Sequence, residues 1–211
     1  MAEQKLARLI DAMSATIASH AVQLDALDEA IGDGDHGTNL TRGFAALAAE
    51  GARLGELPPG QGLQEAGTIL ERETGGAGGR YYGLICRAMG GVAPTGMPTA
   101  AQLLAMLEAG IAAAQAEGGA KKGEKTLLDV LIPVAQSLRL QLDQGRTDQL
   151  GARILAAAAH GLHATTHMEA KHGLAADLGV ASVNRIDPGA CSCALLFGAV
   201  VGVLEPGQEA A

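Results

Sequence analysis

Apolar residues recur along the chain at the spacing of one helical face. Leu6, Leu9, Ile10, Met13 and Ile17 open the pattern, and Leu40, Phe44 and Leu47 resume it after an acidic interruption. Further helices are expected over 63–72, 81–89, 99–116, 126–142, 147–171 and 188–204, with Pro133 bending or staggering the helix that holds it. Strand-like alternation is absent. The pattern therefore predicts an all-α chain of about eight helices.

The connections carry the glycine and proline: GELPPGQG, TGGAGG, GGVAPTGMP, AEGGAKKGEK and the long GLAADLGVASVNRIDPG. Runs of small residues such as Ala156 to Ala159 let helices approach closely, which favours a compact antiparallel barrel or bundle with several loops gathered at one end.

Composition narrows this picture. The chain has 211 residues and is 48% hydrophobic, enough for one sizeable core, and no shift in composition marks a boundary, so residues 1–211 are read as a single domain. A net charge of −8, scattered Lys and Arg, no Trp and few other aromatics leave no source for phosphate-backbone attraction or base stacking. Nucleic acid is not an expected partner. The start, MAEQKLARLIDAM, lacks the features of a signal peptide, and no apolar run reaches membrane-spanning length; a cytoplasmic protein without a membrane partner is expected. Cys86, Cys191 and Cys193 lack metal-type pairing and read as reduced thiols.

Candidate chemistry concentrates in the loops. In AIGDGDHGTNL, Asp33 and Asp35 flank Gly34 and can turn toward a common point, which Asp28 can reach from the preceding helix end. Mg²⁺ takes hard oxygen ligands and commonly completes its shell with water or substrate phosphate, so this grouping suits it. An EF-hand is excluded, because Gly37 is out of place and no bidentate Glu follows. On spacing alone, an Asp-Gly turn with Thr38 or Asn39 capping a helix explains the stretch more simply.

The loop Thr74-Gly75-Gly76-Ala77-Gly78-Gly79 lies between two predicted helices and could close backbone N–H groups around an anion, although it is neither a P-loop nor a dinucleotide fingerprint. Taken singly, an ordinary helix-helix turn is the simpler account. Asp187-Pro188-Gly189-Ala190 has the form of a helix cap. His160, His163 and His167 share one face of the predicted 147–171 helix; they are read as surface or core-edge histidines without a metal.

In order, LDEAIGDGDHGTNLTRGF, TGGAGGRYYG, GEKTLLDV and a Gly-rich loop ending in DPGA resemble the nucleotide-binding L subunit of dihydroxyacetone kinase, in register from about residue 5 to residue 204. The resemblance implies an antiparallel barrel of eight helices holding ADP or ATP at one mouth through Mg²⁺, with two ions expected. It implies that Asp28, Asp33 and Asp35 ligate the metals and that His36, Gly37, Thr38 and Asn39 line the nucleotide. Ala77 and Gly78 would face the phosphates, Gly118 and Leu127 would flank the base, and Asp187, Pro188 and Gly189 would close the site. The acceptor would sit on a separate K-type subunit. The donor would be either exchangeable ATP or bound ADP rephosphorylated by a phosphotransferase-system phosphocarrier; a separate short subunit with DHG in its metal loop leans toward the latter. A homodimer is compatible with the sequence.

Two departures from the family pattern stand out. Gly78 occupies the position of a serine, losing a hydroxyl whose bond to an anion is worth roughly 1.5–3 kcal/mol. Leu174 stands in place of a phosphate-facing Arg, with Asp177 where a Tyr is usual; Arg80 and Arg185 are the candidate replacements. The leading expectation is a kinase subunit transferring phosphoryl groups to dihydroxyacetone or a related short ketose or polyol, inactive without its partner. Another reading is a catalytically weakened, nucleotide-binding regulatory module. A third is a metal-dependent phosphatase, for which His36 would be the only candidate base.

Overall fold

The computed structural model describes residues 2–205, with side chains from residue 5 onward; Met1 and residues 206–211, which the single-domain reading includes, lie outside the described residues. Helix order follows the apolar pattern. α1 (Ala2–Ser19), α2 (Ala21–Glu29), α3 (His36–Ala49), α4 (Gly51–Glu56), α5 (Pro59–Thr74) and α6 (Gly76–Gly91) form the first half. α7 (Ala100–Gly118), α8 (Leu128–Asp143), α9 (Leu150–Ala164), α10 (Gly173–Ala176) and α11 (Pro188–Leu204) form the second. Among the described residues there is no strand.

The expected eight helices become eleven for local reasons. The first predicted helix breaks at His20, whose Nδ1 lies 2.8 Å from the Thr16 carbonyl, and the second is interrupted at Glu50. α10 is a four-residue turn inside the long loop. Predicted helix 147–171 stops at Ala164, where a 3-10 turn over Thr165–His167 takes over. α8 runs unbroken through Pro133. Proline withholds one amide, which leaves the Asp129 carbonyl without its usual donor. Gly161 of α9 packs directly on that carbonyl, where any side chain would collide with it.

The long helices close into a ring. α1 packs on α3, α3 on α5, and each later long helix on its successor through α9, while α11 lies between α9 and α1 and completes the circuit. One apolar cluster joins Ile10, Ile17, Leu24, Leu40, Phe44 and Leu70; the other joins Ile111, Leu128, Val130, Val134 and Leu138. α11 carries no charged residue and serves both, with Cys191 and Leu196 in the first and Ala190 and Cys193 in the second. A helix apolar all round can only be stable when neighbours cover it on all sides.

α5 and α6 form the tightest pair, and glycine explains it. A Cβ on Gly67 would lie 2.5 Å from the Gly83 carbonyl oxygen, and one on Gly90 would lie 2.5 Å from that of Gly60. These contacts recur every seven residues on both helices and run in opposite senses, so the two backbones touch along an antiparallel seam. That seam fixes the turn between them, Gly75, at one end of the ring.

Candidate functional site

Four loops meet at that end around a cavity of about 470 Å³. Its acidic wall is built from the last turn of α2 and the loop that follows. Asp28 Oδ2 accepts the amides of Gly34 at 2.9 Å and Asp35 at 3.0 Å, folding the loop back on the helix that precedes it. Gly34 takes a left-handed φ of 78°, open to glycine at little cost, and Gly32 lies so close to Asp28 that a side chain there would strike its carboxylate. The result brings one carboxylate oxygen each from Asp28, Asp33 and Asp35 within 4.8 Å of one another. Among the described residues, no Lys or Arg nitrogen forms an ion pair with any of the three. Convergent hard-oxygen donors, exposed at Asp33 and Asp35 and half-buried at Asp28, without a protein cation suit a divalent ion with open positions.

Opposite lies the glycine turn. Gly75 and Gly76 both have positive φ, 77° and 59°, which turns the chain from α5 directly into α6. The first amide of this turn to find a carbonyl is that of Gly79, to Gly75 at 3.2 Å, which leaves the N–H groups of Gly76, Ala77 and Gly78 available to an anion. Arg42 of α3 secures the approach: its guanidinium donates to the Glu73 carbonyl at 2.8 Å, to the Thr74 carbonyl and to Asn39 Oδ1 at 2.9 Å.

His36, the first residue of α3, stands between the two walls. Its Nε2 lies 3.0 Å from Ser192 Oγ, which also lies 2.8 Å from the Tyr82 hydroxyl and donates to the Gly189 carbonyl at 3.0 Å. Burial pushes the imidazole pKa down, against the pull of Asp28, Asp25 and Asp35, and keeps it neutral at pH 7. Asp187 caps α11 by accepting the Ala190 amide at 2.6 Å. Burial drives its carboxyl up to about 7, although the Ala190 amide and Lys125 work in the other direction.

Of the residues expected at the site, Asp28, Asp33, Asp35, His36, Asn39, Ala77, Gly78, Leu127, Asp187, Pro188 and Gly189 all line this cavity. Five others do not, for distinct reasons. Thr38 gives its amide and hydroxyl to Asp25, at 2.9 and 2.7 Å; these bonds hold the Asp25 carboxyl below its usual range in spite of an opposing burial effect. Gly37 is buried against the Ala21 carbonyl, and Gly118 sits behind the hydroxyl of Tyr81, which itself faces the cavity. Arg80 pairs with Glu117 in a separate surface recess, and Arg185 contributes its carbonyl, to Lys125, while its side chain is exposed. The cationic replacement expected from Arg80 or Arg185 is therefore not formed at this cavity.

The sequence reading passed over several residues that build the site. Lys125 and Asp129 are 3% and 1% exposed. Both lie in GEKTLLDV, where charges at the start of an apolar helix were the available signal. Arg42, Tyr82, Ser192 and His172 carry no such signal, because their roles depend on contacts between distant segments. The three histidines at 160, 163 and 167 are exposed, with the last two rings edge to face. Among the described residues no helix is long and apolar enough to cross a membrane.

Comparison with known proteins bears on the family and the fold. The sequence profile of the DAK2 domain matches residues 30–202. The ADP-binding subunit DhaL of PEP-dependent dihydroxyacetone kinase 1 from Listeria innocua is 34% identical over 178 residues, covering 84% of this chain and 85% of that protein. D-erythrulose kinase of Mycolicibacterium smegmatis is 32% identical over 194 residues, or 90% of this chain and 33% of the enzyme. In structure, the dihydroxyacetone kinase from C. freundii in complex with AMP-PNP and Mg²⁺ superposes with a TM-score of 0.72 at 25% identity, covering 93% of this chain and 33% of that one. The chain thus spans about a third of the length of these two larger kinases and most of the length of the Listeria subunit.

Proposed function

The chain belongs to the DAK2-domain family, and on that premise we propose that it is the Mg²⁺-nucleotide subunit of a kinase for dihydroxyacetone or a related short ketose or polyol. In this reading it binds ADP or ATP and acts with a K-type subunit that holds the acceptor. The observation that carries it is the convergence of Asp28, Asp33 and Asp35 on a cavity whose opposite wall is the free amides of Gly76, Ala77 and Gly78. One wall suits cations and the other suits anions, the arrangement a metal-bound polyphosphate requires.

Two Mg²⁺ ions, when bound, would supply the charge neutralisation that phosphoryl transfer depends on. The chain's own residues do the rest by placement. The three aspartates hold the ions, the amides of the α6 turn orient the phosphates, and neutral His36, fixed through Ser192, faces them without adding charge. Leu127 and Tyr81, with Gly118 behind it, give the base an apolar slot, and Asp187, Pro188 and Gly189 close the inner wall. In this reading the acceptor hydroxyl arrives on the partner, so no nucleophile is required of this chain.

The composition of a small-molecule extract of the purified protein tests this reading. Bound ADP with Mg²⁺ supports a subunit rephosphorylated in place by a phosphocarrier, whereas an empty protein that binds ATP reversibly supports the exchangeable-donor form. A protein that retains no adenine nucleotide and binds none in Mg²⁺ would overturn both.

One observation favours a second reading. Gly78 and Leu174 line the cavity where the family carries polar groups, which weakens the hold on phosphate and fits a regulatory module that binds nucleotide without turnover. Addition of a K-type subunit and its acceptor separates the two: turnover proportional to this chain supports the kinase, and none at any concentration supports the module.

A further inference from the structure

Lys125 is the most deeply buried basic side chain at the cavity, and it is one of three non-glycine residues with positive φ among those described, at 61°. Such a conformation costs an L-residue energy and persists only where the surroundings over-determine it. Here they do. Asp129 accepts the amides of Gly123 at 2.5 Å and Thr126 at 2.9 Å, fixing the turn on both sides of Lys125. The ammonium then donates to the Thr165 carbonyl at 2.6 Å and to the Arg185 carbonyl. Those carbonyls stand at the two ends of the long loop between α9 and α11. Burial pushes the ammonium pKa down, and the nearby carboxyls of Asp187 and Asp129 act to restore it.

The structure assigns Lys125 a positioning role: one buried ammonium ties the two ends of segment 165–185 together and so sets where that segment meets the nucleotide cavity. This inference rests on the nucleotide reading of the cavity, and neighbouring contacts point the same way. Thr165 Oγ1 accepts the Asp187 amide at 3.2 Å, so the clamp leads directly into the Asp187-Pro188-Gly189 wall. Lys171 donates its amide to the Glu124 carbonyl at 3.3 Å, and His172 Nε2 lies 2.7 Å from Glu124 Oε2, next to the rim formed by Gly173 and Leu174. A loop closed at its base has few conformations left to lose when ligand binds. Without the ammonium donors the Arg185 carbonyl loses its partner and the Thr165 carbonyl keeps only the Met168 amide, at 3.1 Å, so the ends of the loop are left with the Asn184 amide on the Thr166 carbonyl, at 2.7 Å, and the Asp187 amide on Thr165 Oγ1.

The test compares the full chain with Lys125→Met, which keeps length and bulk but has no donor. Hydrogen exchange of the ligand-free protein should accelerate about tenfold or more across 166–184 and by less than about twofold in α5, α6 and α8. ADP affinity in Mg²⁺ should fall about tenfold, and Mn²⁺ affinity at the three aspartates by less than about twofold. Unchanged exchange in 166–184, or equal acceleration throughout the chain, would overturn the clamp. If the variant does not fold, nuclear magnetic resonance of the wild type decides: couplings from the Lys125 ammonium to the Thr165 and Arg185 carbonyls are expected, and a freely exchanging ammonium without them would overturn it. Wild type that binds no Mg²⁺-ADP would count against the nucleotide reading alone, since exchange and resonance judge the clamp without ligand.

Discussion

Gly78 is the point where one side chain should change the hold on phosphate. A Cβ built there meets nothing closer than 3.4 Å, at His36 Cε1, and its backbone is not in the left-handed region, so a serine fits without displacing its neighbours. Gly78→Ser adds a hydroxyl donor beside the free amides of the α6 turn and is expected to tighten Mg²⁺-ADP binding by roughly 1.5–3 kcal/mol, read by calorimetry. Unaltered affinity would mean that the phosphates do not reach this turn. Asp187 gives a second test, through pH. Its carboxyl is raised by burial to about 7. A raised carboxyl leaves the folded state progressively less stable as pH climbs from the unfolded value, about 4, through the folded one. Asp187→Asn keeps an oxygen to cap α11 and has no charge to bury. In ligand-free protein, the variant's melting temperature relative to wild type should therefore rise between about pH 5 and about pH 8; a constant difference would show that Asp187 does not titrate there.

At the scale of elements, the site depends on how closely α5 and α6 approach. Gly67→Ala would drive a methyl into the Gly83 carbonyl, and overpacking of that kind costs about 1–3 kcal/mol. Urea unfolding should report that loss, accompanied by weaker ADP binding because the glycine turn moves with the seam. Stability equal to wild type would show that the helices can separate freely. The helices themselves were largely legible, because an apolar face repeats wherever a helix lies against a core. Their ends were not. The break at His20 turns on a side-chain contact with the Thr16 carbonyl, while the stop at Ala164 and the passage of α8 through Pro133 meet contacts from other segments, Lys125 on the Thr165 carbonyl and Gly161 on the Asp129 carbonyl, which local periodicity does not contain. The seam was hidden for the same reason: Gly60, Gly67, Gly83 and Gly90 read as weak helix residues until their partners lie opposite them.

For the whole molecule, ring closure brings α2, the α5–α6 turn, the loop before α8 and the start of α11 to one end. That explains why the acidic loop, the glycine turn and the Asp187 cap were each unremarkable alone and informative in order. The aspartate trio could be found because three aspartates within eight residues are visible in sequence. Arg42 and Ser192 could not, since each bonds to a residue far along the chain, and Lys125 offered only its charge ahead of an apolar helix. Arg80 and Arg185, the expected replacements for the Arg absent at Leu174, do not line the cavity, because proximity in sequence to the loops does not fix a direction: Arg80 turns outward to Glu117. The most direct measurement is titration of ADP into wild type and Asp33→Asn, each with and without Mg²⁺, with circular dichroism as a check on the fold. Binding that needs Mg²⁺ and is lost in Asp33→Asn while the helical signal persists is the expected result; ADP binding indifferent to both the metal and the substitution would contradict it.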